Sequence, residues 1–108
     1  MTPVTEPLVV AALDTMNDGD AHGLCALFAP DGTVAHEGKR YRGAPQITAW
    51  FSRIPSVLIR PIRAMRHGTA HVVEAEVSGT SPHGPQLHRF TFELAEHQIR
   101  SMSVNIVR

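Results

Sequence analysis

The sequence is short of cysteine, of long apolar runs and of a signal-like start. Cys25 is the only cysteine in 108 residues, which excludes an intramolecular disulfide. No stretch approaches the ~20 consecutive apolar residues of a membrane-spanning helix. The first ten residues, MTPVTEPLVV, lack the basic region and cleavage site of a secretion signal. We therefore expect a cytoplasmic protein that is not embedded in a membrane.

A net charge is missing as well. Ten lysines and arginines balance ten aspartates and glutamates, so neither nucleic acid nor an anionic membrane surface is an expected partner. The length predicts one domain over residues 7–108, preceded by a flexible tail over residues 1–6. A chain of this size buries roughly two-thirds of its unfolded surface, which leaves little room for a deep cavity.

Helical patterns occupy the first half of the chain. Pro7 suits a first helical turn, where its missing N–H is not needed, and apolar residues then recur at helical spacing. Asp20 has the side chain of an N-cap residue for a second helix, and Pro30-Asp31-Gly32 is typical of a turn. The expected helices span residues 7–16, 21–28 and 44–53.

After Gly32 the apolar period shortens to two, which is typical of strands. Glu37-Gly38-Lys39 separates two short strands and predicts a hairpin. The later joints, such as His67-Gly68, predict further antiparallel hairpins. The expected strands span residues 33–36, 40–42, 57–67, 70–80, 86–94 and 98–107. Three helices followed by a curved antiparallel sheet make an α+β fold.

Two histidines are expected on the inward, apolar faces of these strands. Side chains alternate between the faces of a strand, so His88 shares a face with Phe90 and Phe92. By the same rule His36 shares a face with Val34. Glu37 is expected on the opposite side, towards solvent. His36 and His88 are therefore the candidate functional residues.

Six segments follow one another in a recognisable order and spacing. They are NDGD, LFAPDGTV, YRGAPQITAWF, VVEAEVSGTSPHG, LHRFTFEL and IRSMSVNI. Together they resemble the nuclear transport factor 2-like superfamily, in its SnoaL-like branch of small standalone domains. The resemblance implies a cystatin-like α+β cone, with helices wrapped on a curved sheet and a pocket at one end. It also implies a homodimer formed through the outer face of the sheet.

The resemblance extends to ketosteroid isomerase and polyketide cyclases, which makes a residue-by-residue comparison informative. His36 falls where ketosteroid isomerase-like sequences carry an aspartate base, and His88 where they carry a protonated aspartate. Their oxyanion tyrosine would align near Ala12, and the single tyrosine, Tyr41, lies in the hairpin. Ketosteroid isomerase activity is therefore not expected.

The first functional hypothesis is an acid–base enzyme that needs no cofactor. Histidine exchanges protons near neutral pH, so His36 is predicted as the base and His88 as the hydrogen-bond donor. The substrate would be a small hydrophobic carbonyl compound that undergoes isomerisation or cyclisation. No metal is expected, because two histidines without an inward carboxylate make a poor site. The predicted ligand-binding residues are Val34, Trp50, Phe90, Phe92, Met102 and Val104.

The alternative hypothesis is a ligand-binding or dimerisation module without chemistry. The missing tyrosine and carboxylates favour it, and both histidines would then bond to backbone or water. An open pocket of ~300 Å³ or more that exposes both imidazoles would favour a ligand site. A filled cone would favour a structural role.

Overall fold

The computed structural model describes residues 4–79 and 82–107. The described chain folds into three helices and one six-stranded sheet of order β2-β1-β6-β5-β4-β3. The predicted α+β fold is confirmed. The helices are α1 (Pro7–Asn17), α2 (Ala21–Ala26) and α3 (Gly43–Ser52). The strands are β1 (Phe28–His36), β2 (Lys39–Arg42), β3 (Leu58–His67), β4 (Ala70–Ser78), β5 (Gln86–Ala95) and β6 (Gln98–Ile106).

Local hydrogen bonds explain where the helices begin. The Glu6 carboxylate accepts from the amide of Leu8 at 3.2 Å, with Pro7 in the first helical position. The Asp20 carboxylate accepts from the amide of Gly23 at 2.8 Å, which confirms the N-cap predicted from the sequence. Each cap satisfies an amide that has no partner within its helix.

The second helix is shorter than predicted, and the turn that should follow it lies within a strand. α2 ends at Ala26 and β1 already begins at Phe28. Between Phe28 and Thr33 the pairing of β1 with β6 is irregular, so the turn-forming residues Pro30, Asp31 and Gly32 occupy a bulge. Proline has no N–H to donate, and a bulge is one of the few places where a strand accepts it.

The sequence predicted an antiparallel sheet, but one strand pair of the observed sheet is parallel. β1 pairs with β6 in parallel, whereas the other four strand pairs are antiparallel. Tight hairpins impose antiparallel pairing on strands that follow one another. β1 and β6 are separated by most of the chain, and no turn sets their relative direction.

The helices cover one face of the sheet, and the core lies between them. Alternation predicted that Phe90 and Phe92 of β5 face inward, and both are buried. Asn17, at the end of α1, ties that helix to the sheet: its side chain donates to the Ile59 carbonyl at 3.0 Å and accepts from the Ile59 amide at 2.6 Å. The largest side chains with the least exposure are Phe92, Leu24, Ile47, Ile99, Met102, Val9, Val34 and Val73.

The other end of α1 contacts the predicted tail. Val4 is half-buried and packs against the core, while residues 1–3 lie outside the described part of the chain, as do Thr80 and Ser81. The flexibility of the tail stays a prediction. None of the helices within residues 4–79 and 82–107 is long and apolar enough to cross a membrane.

The outer face of the sheet carries ion pairs. Glu74 accepts from Arg89 at 2.8 Å and from Arg63 at 2.5 Å, and Arg60 pairs with Glu76. The hydrogen bonds from Arg89 and Arg63 lower the pKa of Glu74, so its carboxylate stays charged to lower pH than usual. Paired charges cover this face, and a homodimer through it stays a prediction.

Candidate functional site

Strand register brings the two candidate histidines to the same end of the sheet. His36 is the last residue of β1 and pairs with Val104, while His88, near the start of β5, pairs with Ile106. Val104 and Ile106 are two residues apart on β6, so they share a face of the sheet. Because β6 lies between β1 and β5, both imidazoles stand on that face and flank the end of β6.

The two histidines line two adjoining cavities. The outer one is a cleft of about 390 Å³, lined by His36, Glu37, His88, Val104, Asn105 and Ile106. The inner one is an apolar chamber of only about 60 Å³, whose walls include Trp50, Phe90 and Val104 as well as both histidines. Of these two spaces, the cleft has much more room than the apolar chamber.

Trp50 determines which nitrogen of His36 carries the proton. The indole Nε1 of Trp50 donates to Nδ1 of His36 at 3.1 Å. An indole N–H is only a donor, so Nδ1 must present its lone pair. The neutral His36 imidazole therefore carries its proton on Nε2 and offers that N–H as a donor. The two rings meet edge to face, with centroids 5.6 Å apart.

His88 has the opposite arrangement. Its Nδ1 lies 3.2 Å from the carbonyl oxygen of Gln86, which can only accept a hydrogen bond. Nδ1 of His88 therefore carries a proton and donates it. In the neutral ring Nε2 is left with a lone pair, which can accept a hydrogen bond or take up a proton.

Burial keeps His36 neutral. Desolvation lowers the pKa of His36 below its usual value of 6.5, the nearby Glu37 carboxylate partly opposes this, and His88 lowers it further. Near neutral pH the site holds an uncharged donor at His36.

The predicted ligand-binding residues divide into two groups. Trp50, Phe90 and Val104 line the inner chamber together with the histidines. Val34, Phe92 and Met102 lie in the closed core, each at most 1% exposed. Ligand binding by either group stays a prediction.

Sequence reasoning missed three residues of the outer cleft, Glu37, Asn105 and Ile106. Glu37 is exposed, as expected, yet it lines the same cleft as His36. It opens the β1–β2 turn, where Glu37 and Gly38 both have positive φ, 52° and 77°. The alternation of a strand ends at such a turn, so the period-two rule gave no reliable direction for Glu37. Its position beside His36 was the available signal.

Comparison with known proteins shows which protein family the chain belongs to. The family model for the SnoaL-like domain matches residues 9–102, and the chain belongs to this family. The fold is that of nuclear transport factor 2-like and ketosteroid isomerase-like proteins. A search of functionally curated proteins finds no match.

Three solved structures are similar over nearly the whole chain. A protein from Sphaerobacter thermophilus is 25% identical, with TM-score 0.85 and 94% of each chain covered. A candidate polyketide cyclase from Sinorhizobium meliloti is 26% identical, with TM-score 0.85, and the match covers 94% of this chain and 95% of that one. A hypothetical protein from Catenulispora acidiphila with a ketosteroid isomerase-like fold, in complex with trimethylamine, is 25% identical, with TM-score 0.82 and coverage of 94% and 86%.

Proposed function

We propose that the chain binds a small carbonyl compound between His36 and His88 and catalyses proton transfer on it without a cofactor. The observation that carries this proposal is the complementary protonation of the two rings. His36 offers an N–H donor because Trp50 occupies its Nδ1, and His88 offers a lone pair because Gln86 holds its Nδ1–H. An acid–base reaction next to a carbonyl needs one group of each kind.

In the proposed reaction the substrate lies in the outer cleft with its carbonyl oxygen towards Nε2–H of His36. Nε2 of His88 takes a proton from the carbon next to the carbonyl. The C–H electron pair becomes the new C=C bond, and the carbonyl π pair moves onto oxygen, where His36 donates to it. In a β,γ-unsaturated ketone, return of the proton from His88 to the γ-carbon completes an isomerisation. In a cyclisation, the enolate carbon attacks a second carbonyl carbon, the first C=O bond re-forms, and the new alkoxide takes the proton from His88.

These roles reverse the assignment made from the sequence, where His36 was the base. The bond from Trp50 supports the reversal, because a base at Nδ1 of His36 would first have to lose its donor. Desolvation also lowers the pKa of His36, which favours the neutral ring that donates without carrying charge. The apolar chamber is suited to a small apolar end of the substrate.

Two of the similar proteins are consistent with small-molecule chemistry in this cone. The Sinorhizobium protein is named as a candidate polyketide cyclase, and closing a polyketide ring involves removing a proton next to a carbonyl. The Catenulispora protein is described in complex with trimethylamine, a molecule of only a few heavy atoms.

Hydrogen–deuterium exchange tests the proposal without knowledge of the natural product. Small methyl ketones are incubated with the protein in D₂O, and loss of the α-proton signal is followed by NMR. We expect His88→Gln to reduce the protein-dependent rate by roughly a hundredfold, as for loss of a general base, and His36→Gln to reduce it by roughly tenfold or more.

The matched control is His22→Gln, because His22 is exposed on α2. This variant should exchange ketone protons at the wild-type rate. Exchange no faster than in buffer, or equal rates in wild type and both site variants, would refute the proposal.

One observation favours a second candidate, a binding module without chemistry. The inner chamber is only about 60 Å³, and each imidazole already has a structural hydrogen bond. In that case ketones would perturb the fluorescence of Trp50, the single tryptophan, without any exchange of their α-protons.

A further inference from the structure

The outer cleft has a negative electrostatic character. Glu37 is the only acidic residue among its lining residues, and none of those described is a lysine or arginine. Glu37 also raises the pKa of His36, so the field of its carboxylate reaches the imidazole. Lys39 pairs with His36 across the hairpin, but it does not line the cleft. A ligand entering here meets a carboxylate and two histidines.

α1 and α3 both end beside the inner chamber, where Met16 comes from the last turn of α1 and Phe51 from the last turn of α3. The C-terminal end of a helix carries a partial negative charge and stabilises nearby cations. Carbonyls at both helix ends already accept hydrogen bonds from the amides that follow, and Arg53 caps α3, so the negative character of the cleft rests on Glu37.

The backbone at Glu37 does not explain why a glutamate is there. Its φ of 52° lies in the left-handed region, which in two-residue hairpin turns is strongly preferred by asparagine and glycine. Glu96 has almost the same φ, 53°, in the β5–β6 turn, so the strain alone marks no site. What distinguishes Glu37 is that its turn borders the cleft.

This negative character conflicts with an enolate unless the substrate brings a positive charge. Proton abstraction places negative charge on the substrate oxygen, and the Glu37 carboxylate opposes that charge. An ammonium group elsewhere on the substrate would be attracted to the same surroundings. The charge of the substrate would then balance that of the site.

We propose that the cleft selects carbonyl compounds that carry a positively charged amine or quaternary ammonium group, and that Glu37 is the residue that determines this specificity. The inference rests on the function proposed above for the same site. It identifies a substrate class, amino ketones, that the two histidines alone do not specify.

The test compares three methyl ketones that carry a trimethylammonium, a tert-butyl or a carboxylate group at the end of the same short chain. Binding is measured by Trp50 fluorescence at low salt, and turnover by α-proton exchange. We expect the ammonium ketone to bind roughly three- to fivefold more tightly than its neutral isostere, as for a solvent-exposed charge pair. The carboxylate should bind most weakly, and added salt should reduce the differences.

Glu37→Gln should remove most of the preference, and Glu96→Gln is the matched control. It makes the same change in a turn of nearly the same φ, at a position that does not line the cleft, and should leave the preference intact. Equal binding of the three ketones by the wild type, or an unchanged preference in Glu37→Gln, would overturn this inference. If the neutral ketone still exchanges its protons, the proposed function survives that result. If no ketone binds or exchanges, both proposals fall.

Discussion

The hydrogen bond from Trp50 to His36 makes a quantitative prediction about stability. Trp50→Phe keeps an aromatic ring in the core but removes the N–H that reaches Nδ1 of His36 at 3.1 Å. The net bond contributes about 1 kcal/mol, and the smaller ring gives up roughly 1–2 kcal/mol of apolar burial. We therefore expect Trp50→Phe to lower the free energy of unfolding by about 2–3 kcal/mol.

A double-mutant cycle separates the bond from the packing. His36→Phe keeps a ring against Trp50 but offers no acceptor, so the single variants and the double variant isolate the pair. Urea unfolding followed by circular dichroism should give a coupling energy of about 1 kcal/mol near pH 8. Near pH 5 the coupling should shrink as Nδ1 of His36 gains a proton and faces the indole donor, with the extent set by the lowered pKa. A coupling energy of zero at both pH values would refute the protonation scheme.

Three further predictions follow from single contacts. Because burial lowers the pKa of His36 below 6.5, the folded protein binds fewer protons there than the unfolded chain. Its stability should therefore fall as the pH drops from about 6.5 through the folded pKa, and thermal melts of His36→Phe should show less of this fall. Asn17→Ala loses both hydrogen bonds to Ile59 and should lower the free energy of unfolding in urea by roughly 2 kcal/mol. A change near zero would show that these two hydrogen bonds do not form in solution. Gly79→Ala places a Cβ 2.5 Å from the Ser56 carbonyl oxygen at a φ of +98°, so a loss of roughly 2 kcal/mol is expected, and an unchanged melting temperature would contradict the described backbone.

Local patterns predicted most of the fold. The cap at Asp20 depends on a single side chain and its own helix, and the structure contains it. The inward face of β5 depends on a strict alternation, and Phe90 and Phe92 are buried accordingly. The same rule put His36 and His88 inward, and the order of the strands then brought them together.

The errors occurred where distant segments decide the conformation. The residues after α2 look like a turn by composition, yet Phe28 pairs with Ile99 from the far end of the chain. The parallel direction of that pairing follows from the whole sheet and from no local signal. The proton positions on the two histidines depend on their partners, Trp50 and Gln86, since a sequence does not show which ring nitrogen faces a donor and which faces an acceptor.

Packing also restricts what the inner chamber holds without movement of its walls. A space of about 60 Å³ has room for about two groups the size of a water molecule, which is enough for a methyl group beside a carbonyl. A polycyclic ketone would have to displace Trp50 or Phe90 from the core, and either movement would uncover large apolar surfaces. A substrate of the proposed kind would therefore lie mainly in the outer cleft, with a short apolar end inside. Val34, Phe92 and Met102 are buried in the core and do not line the chamber. An apolar residue on the inward face of a strand is therefore not by itself a residue that a ligand can reach.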